Sequence, residues 1–286
     1  MNDSAAAGDS TITVRDSIDD WEVGSEIVIA TSSLNQEEFE ERKIVSISDK
    51  TITLDKPLQY AHYSKQETFN NKTYDLKTEV GLLSRNIKVQ GDQSSTQTQH
   101  GVHIMMTGKD DSVQGRFSYI EVSKAGQIFH MGRYPIHFHM TGNCIGSYLE
   151  GVAVHHVFNR CTTFHGVHYL TISKGVYYKN LGHCIFVEDS IESHNVVQDT
   201  LVMRTNISSS LLMSDLKASA FWITRPLNYF MRNHAVGSEK FGFWFDLADN
   251  PTGPSATDSI CPVGERLGKF KDNVSHGNLI GLRVYP

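Results

Sequence analysis

Two histidines, His137 and His139, stand one residue apart in the run Arg133-Tyr134-Pro135-Ile136-His137-Phe138-His139. On an extended strand that spacing puts both imidazoles on one face, because side chains alternate with period 2. Nine of the 14 histidines fall between His130 and His194, so the pair sits in a wider concentration. Imidazole can ligate a metal, carry a proton near neutral pH, or satisfy a buried hydrogen bond. The pairs Phe138-His139, Phe164-His165 and Val187-Glu188 each place a ligand type after an apolar residue, and Ile223-Thr224 and Phe245-Asp246 continue the phase. If these pairs stack, His139, His165 and Glu188 converge on one ion, flanked by His137, His183 and Asp189. Two imidazoles and a carboxylate suit a divalent transition ion of the zinc type. The structural alternative is a solvated polar ladder.

Carboxyl groups offer a second chemistry. Glycoside hydrolysis needs two, one protonated and one ionised, on either side of the scissile bond. Glu188 and Asp189 are adjacent, so on a strand they point to opposite faces. The expected catalytic pair therefore joins Glu188 or Asp189 to Asp246, with His183 nearby. Tyr134, Trp222 and Trp244 offer ring faces to sugars, or else fill a core. Arg133 and Arg225 are suited to uronate carboxylates, or to ordinary ion pairs.

Such residues need a scaffold that brings them into phase. From Gly101 onward helical periodicity nearly vanishes, and short apolar bursts end in asparagine: Val154 to Asn159, Val176 to Asn180, Tyr229 to Asn233 and Lys269 to Asn273. Each is followed by a second short strand, at Thr162 to His165, Cys184 to Glu188, Gly242 to Phe245 and Leu279 to Val284. A strand–Asn–strand unit with a coil in the low twenties of residues is the pattern of a parallel β-helix. Asparagine suits its bends because it tolerates the left-handed conformation and can bond a neighbouring coil. The preceding part, Thr11 to Asp55, also reads as β-structure, with a hairpin around Ser48-Asp49-Lys50 and a turn at Asn70-Asn71. Asn35 to Arg42 is the one charged stretch with helical flavour. The expected division is a β-domain over 1–92 and a β-helix over 93–286.

Composition limits the function. A formal net charge of -6 argues against nucleic acid, and against a long polyanion unless a cleft is locally basic. No apolar run is long enough to span a membrane. Met1 to Ser10 has no apolar signal core and reads as the cut end of a longer chain. The four cysteines form no CxxC, but Cys161 and Cys184 share a phase in neighbouring coils and can bridge. Sequons at Asn2, Asn71, Asn206 and Asn273 permit glycosylation.

Several motifs in fixed order go further. The run Glu79 to Ile87 resembles the end of a G8 domain. Arg133 to His139, Phe158-Asn159-Arg160-Cys161, His165-Gly166, Gly182-His183-Cys184 and Glu188-Asp189 follow, then Gly237-Ser238-Glu239, Phe241 to Trp244 and Pro251 to Ser255. Together they resemble the family of fibrocystin, fibrocystin-L, the cell-surface hyaluronidase and the cell-migration-inducing hyaluronan-binding protein, over about residues 11 to 286. The resemblance implies an all-β chain, a right-handed parallel β-helix preceded by a partial G8 domain, in an extracellular or cell-surface protein. Hyaluronidase members cleave hyaluronan endolytically with a calcium requirement. Fibrocystin members share the motifs and are large receptor-like proteins with no assigned chemistry. Calcium prefers oxygen ligands, so any calcium belongs elsewhere than the histidine cluster. The expectation is thus a glycan-active or glycan-binding β-helix directed at an acidic polysaccharide such as hyaluronan. The alternative is a non-catalytic recognition or structural module. A lyase of the pectate type is a third reading, by fold analogy alone.

Overall fold

The computed structural model describes residues 1–108, 112–210 and 212–285. Two compact units make it up, Met1–Ser84 and Arg85–Pro286. The division falls before the expected 92/93 boundary because Ile87–Gln90 pairs in parallel with Ile120–Ser123 and so belongs to the second unit.

In the first unit an antiparallel sheet runs in the order Thr11–Thr13, Thr51–Leu54, Glu40–Ser48, Glu26–Ile29, Val80–Leu82. Ser48 pairs with Thr51 and Asp49 takes φ 53°, which closes the expected hairpin. Asn70 and Asn71, at φ 47° and 61°, turn a second hairpin between Lys65–Phe69 and Lys72–Leu76. The charged stretch from Asn35 yields only a short 3-10 turn at Gln36–Glu38, capped by the Asn35 side chain. From Glu40 buried and exposed residues begin to alternate and the sheet claims them.

The second unit is a parallel β-helix of three sheets. Sheet A stacks Arg116–Ser118, Tyr148–Glu150, Thr171–Ser173, Val196–Gln198, Tyr229–Met231 and Lys269–Lys271. Sheet B stacks Ile87–Gln90, Ile120–Ser123, Ala153–His155, Val176–Leu181, Leu201–Asn206, His234–Val236 and Val274–His276. Sheet C stacks Ile104–Thr107, Ile136–Asn143, Thr162–His168, Ile185–Val187, Ser219–Ile223, Phe241–Asp246 and Ile280–Tyr285. Coil on coil, residues of equal phase form columns. In sheet C, Ile136, Thr162, Ile185, Phe221 and Phe243 make one inward column. Phe138, Phe164 and Val187 make the other, continued by Ile223 and Phe245. Both feed one apolar core, in which the Phe221 and Phe243 rings stack at 4.5 Å. Two insertions interrupt the regular coil, at 207–218 before a sheet C strand and at 247–268 after one.

Of the two uses expected for the asparagines, the structure shows the coil-to-coil bond and not the left-handed corner. The left-handed positions belong to the residues before them: Lys179, Arg232 and Asp272, at φ 57°, 54° and 56°. The asparagines instead contribute amides that bond from coil to coil. Asn233 Oδ1 accepts the Thr200 N–H at 3.2 Å, and its Nδ2 donates to Val197 O at 2.8 Å and to Asn273 Oδ1 at 3.1 Å. Asn195 donates to Asn228 Oδ1 in the same way at 3.0 Å. A disulfide joins Cys161 to Cys184 in adjacent coils, with Cα atoms 4.6 Å apart.

Replacing Asn233 by Ala removes an acceptor and two donor contacts from a fully buried corner. The expected loss is about 1–3 kcal/mol for each stranded backbone group. It should appear as a lower urea midpoint with an unchanged slope.

Candidate functional site

Sheet C turns a polar and aromatic face away from the core. Its outward column pairs Met105 with His137 and Thr163, then Phe186 with Trp222 and Trp244. The next outward position pairs His139 directly with His165. Of the expected ladder the His139–His165 step forms; Glu188 lies past the end of its strand, and His137, expected only to flank the set, takes the third place. His137, His139 and His165 each bring a ring nitrogen within 4.8 Å of the other two. Among the described residues this is the one such group of three His, Cys, Asp or Glu.

Hydrogen bonding fixes which nitrogens carry lone pairs. His137 Nδ1 lies 2.9 Å from Gly132 O, and a carbonyl only accepts, so the proton is on Nδ1. His137 Nε2 is then a bare lone pair, buried with no hydrogen-bond partner. Burial pushes this imidazole down to about 3, so it is neutral at physiological pH. His165 Nε2 lies 2.8 Å from Asp189 Oδ2 and donates to it, so in the neutral ring the lone pair is on Nδ1. That Nδ1 faces His139 Nδ1 at 3.1 Å and Glu188 Oε2 at 3.5 Å. Burial works against a charge on His165, but the Asp189 hydrogen bond and the Glu188 and Asp189 carboxylates outweigh it and raise its pKa. Burial also raises the carboxyl of Glu188, whose Oε2 has no hydrogen-bond partner.

Glu188 and Asp189 do not face opposite ways, contrary to the strand-based expectation. The strand ends at Val187, and the chain turns through Ser190 at φ 71°, so alternation lapses and both carboxyls reach the same imidazole. Asp246 is separated from the Glu188 position by two coil spacings, roughly 9–10 Å. It is also engaged, accepting the Trp222 indole N–H at 3.2 Å, and burial raises its pKa. The proximity around His165 thus favours Glu188 with Asp189 over either with Asp246.

The other expected residues lie deeper than open binding groups would. Tyr134 is fully buried, its ring 4.9 Å from that of His137, and its hydroxyl accepts from Arg160 Nη1 at 3.0 Å. Burial pushes that phenol up to about 12. Trp222 stacks on both His183 at 4.9 Å and Phe186 at 4.3 Å, and Trp244 is buried against Phe241. Neither indole is a free platform. Arg225 is buried and committed to Glu265 at 2.5 and 2.7 Å and to Ile191 O at 2.7 Å. Arg133 alone of the five is exposed. His183 accepts the Ser219 N–H on Nδ1 at 3.1 Å and turns Nε2 toward Asp215 Oδ1 at 3.7 Å, which removes it from the triad.

Sequence reasoning missed three groups. Arg160 is fully buried, its guanidinium 3.8 Å over the Phe186 ring and paired to Asp215 Oδ2 at 2.7 Å. Asp215 comes from the 207–218 insertion, which no periodicity marks. Burial disfavours its charged form, but His183 and Arg160 lower its pKa. Burial drives His183 itself down to about 3, so Arg160 is the charged partner at neutral pH. Glu192, also fully buried, is the third. A recess of about 250 Å³ is walled in part by Met140 and Gly166, the residues after His139 and His165, and by His168, Ile191 and Ser255. The buried Ser255 hydroxyl has no hydrogen-bond partner.

Stacked parallel sheets with a histidine–carboxylate cluster on one outer face define a β-helix carrying a built polar site. The sequence family described as CEMIP beta-helix matches residues 99–282, and the chain belongs to it. Fibrocystin-L of Mus musculus is 36% identical, over 100% of this chain and 8% of its own length. The human Cell surface hyaluronidase CEMIP2 is 30% identical, over 93% of this chain and 22% of its own. The human Cell migration-inducing and hyaluronan-binding protein is 30% identical over 93% and 23%. This chain thus spans less than a quarter of each of these relatives.

Breaking the Arg160–Asp215 pair from one side leaves an uncompensated buried charge. Asp215→Asn should cost about 3–5 kcal/mol, measured by denaturant unfolding. Arg160→Met combined with Asp215→Leu should recover most of that loss, since the pair's own desolvation cost goes with it.

Proposed function

We propose that this chain is an extracellular or cell-surface, polysaccharide-directed β-helix. Its histidine–carboxylate centre holds a divalent transition ion of the zinc type and acts on an acidic glycan such as hyaluronan. The carrying observation is the convergence of one ring nitrogen each from His137, His139 and His165, with Glu188 Oε2 beside His165 Nδ1. His137 and His165 each use their other nitrogen on a carbonyl or a carboxylate, the arrangement that fixes metal-binding imidazoles. His137, His139 and His165 would hold the ion, with the Glu188 oxygen next to them. A bound ion of this class supplies Lewis-acid polarisation or an activated water. The chain's own groups orient the centre: Asp189 keeps the His165 proton on Nε2, and the recess at Met140 and Ser255 gives a sugar ring room. Calcium has no fitting place among imidazoles and would need an oxygen set elsewhere.

Two observations support the glycan and the compartment. The two human relatives are named for hyaluronan or its cleavage. A buried disulfide between neighbouring coils fits an oxidising environment. The formal charge of -6 fits no nucleic-acid partner. No helix is long and apolar enough to cross a membrane. A second reading, a non-catalytic recognition or structural module, is favoured by the burial of Tyr134, Trp222, Trp244 and Arg225. In that reading the groups expected to grip a polysaccharide are structural.

Elemental analysis of the zinc-loaded chain should find close to one ion per chain, and markedly less for His165→Ala. Incubation with hyaluronan should shorten it by size-exclusion chromatography, and His165→Ala should abolish the shortening. Metal uptake without shortening of any acidic glycan would select the non-catalytic reading. No uptake at neutral pH would remove the metal centre.

A further inference from the structure

Glu192 has no part in the reading above, yet it touches both ends of the interaction on which that reading rests. It is fully buried, and its Oε1 accepts two backbone N–H groups. One belongs to Gly166, 2.8 Å away in the neighbouring coil and directly after His165. The other belongs to Asp189, 3.1 Å away in its own coil. Oε2 is buried and has no hydrogen-bond partner. A side chain placed for packing alone would not bring a carboxyl here, because burying one with half its acceptors idle is costly.

Other contacts hold Asp189 in the same pose. Its carbonyl accepts the Thr252 N–H at 3.0 Å. Gly253, at φ 60°, lies so close that a Cβ there would come within 2.7 Å of Asp189 Oδ1. Asp189 is thus fixed at its N–H, at its carbonyl and along its carboxylate, and the open direction points at His165 Nε2. Elsewhere the solenoid ties coils with asparagine amides such as Asn233, which both accept and donate. At this corner Oε1 of Glu192 accepts two N–H groups, and these two donors flank the His165···Asp189 hydrogen bond.

We infer that Glu192 is a positioning residue, which locks the Asp189 carboxylate onto His165 Nε2 and so directs the His165 Nδ1 lone pair at His137 and His139. The inference rests on the proposed metal-binding role of those histidines. Its test includes a readout that needs no metal.

Long-range nitrogen–proton NMR on histidine-labelled chain reads the imidazole tautomers. At alkaline pH, where the ring is neutral, wild type should show His165 as the Nε2–H form, and Glu192→Ala should show a mixture of tautomers. Glu192→Gln should restore the single form, because its Oε1 accepts the same two N–H groups. Cobalt(II) titration followed by visible absorption should give Glu192→Ala roughly 10–100-fold weaker binding and an altered spectrum, with Glu192→Gln like wild type. Asn233→Ala, a comparable loss at a distant corner, should keep tautomer, affinity and spectrum. The inference is overturned if Glu192→Ala keeps the single tautomer, if Glu192→Gln falls with it, or if Asn233→Ala loses the same signals. Should wild type take up no cobalt, the metal reading fails, and the tautomer measurement still decides the role of Glu192.

Discussion

Coil-to-coil register is the constraint from which the second unit follows. Parallel strands about 4.8 Å apart place every residue beside its equivalents in the coils above and below. An inward column must then be apolar or carry its polar groups paired: Phe138, Phe164, Val187, Ile223 and Phe245 are apolar, and Thr162 in the other column bonds the Tyr177 hydroxyl. The outward columns inherit the same repetition without the same demand. His139 and His165 meet because Phe138 and Phe164 do. A slip of one residue would turn the imidazoles into the core and the phenylalanines into solvent. The core thus fixes the site more firmly than any contact within the site.

That dependence explains what the sequence made legible. The apolar-then-ligand phase of Phe138-His139 and Phe164-His165 is a local pattern, and stacking carries it straight into space. The asparagines and their bonds to neighbouring coils were visible for the same reason, although the left-handed corners fall to the residues before them. Legibility stops where the chain leaves the strands. Glu188 and Asp189 sit past the end of Ile185–Val187, so a rule of alternation assigned them wrongly. Asp215 arrives on an insertion of no fixed period, and Arg160 gains its meaning only from that arrival. Tyr134, Trp222 and Trp244 are residue types found equally in sugar sites and in cores. Their burial is set by loops whose course the sequence does not announce.

The outer face of sheet C is covered by its own buried electrostatics. Arg160 is shared by Asp215, the Tyr134 hydroxyl and the Phe186 ring, so its donors and its flat face are both occupied. Such a pair adds little net stability, because desolvation consumes most of the attraction. Its effect is geometric. It ties the 207–218 insertion across the aromatic column and sets Tyr134 against the His137 ring.

Buried polar atoms in this fold are treated differently at the asparagine corners and at the histidine–carboxylate centre. At the asparagine corners, Asn195, Asn228 and Asn233 each both accept and donate, as buried amides must to avoid a penalty. On and beside the outer face of sheet C, His137 Nε2, Glu188 Oε2, Glu192 Oε2 and Ser255 Oγ are buried without hydrogen-bond partners. A single stranded atom is ordinary in a protein of this size. Three of these four belong to the histidine–carboxylate centre or the carboxyl that braces it, and the fourth lines the recess at Met140 and Gly166. A polar ladder kept only for stacking would be expected to close those contacts, as the asparagines do. Buried atoms without partners occur elsewhere among the described residues, at His155 Nε2 and Ser238 Oγ for example, but at this centre they are lone pairs gathered where an incoming ion or hydroxyl group would find them already desolvated.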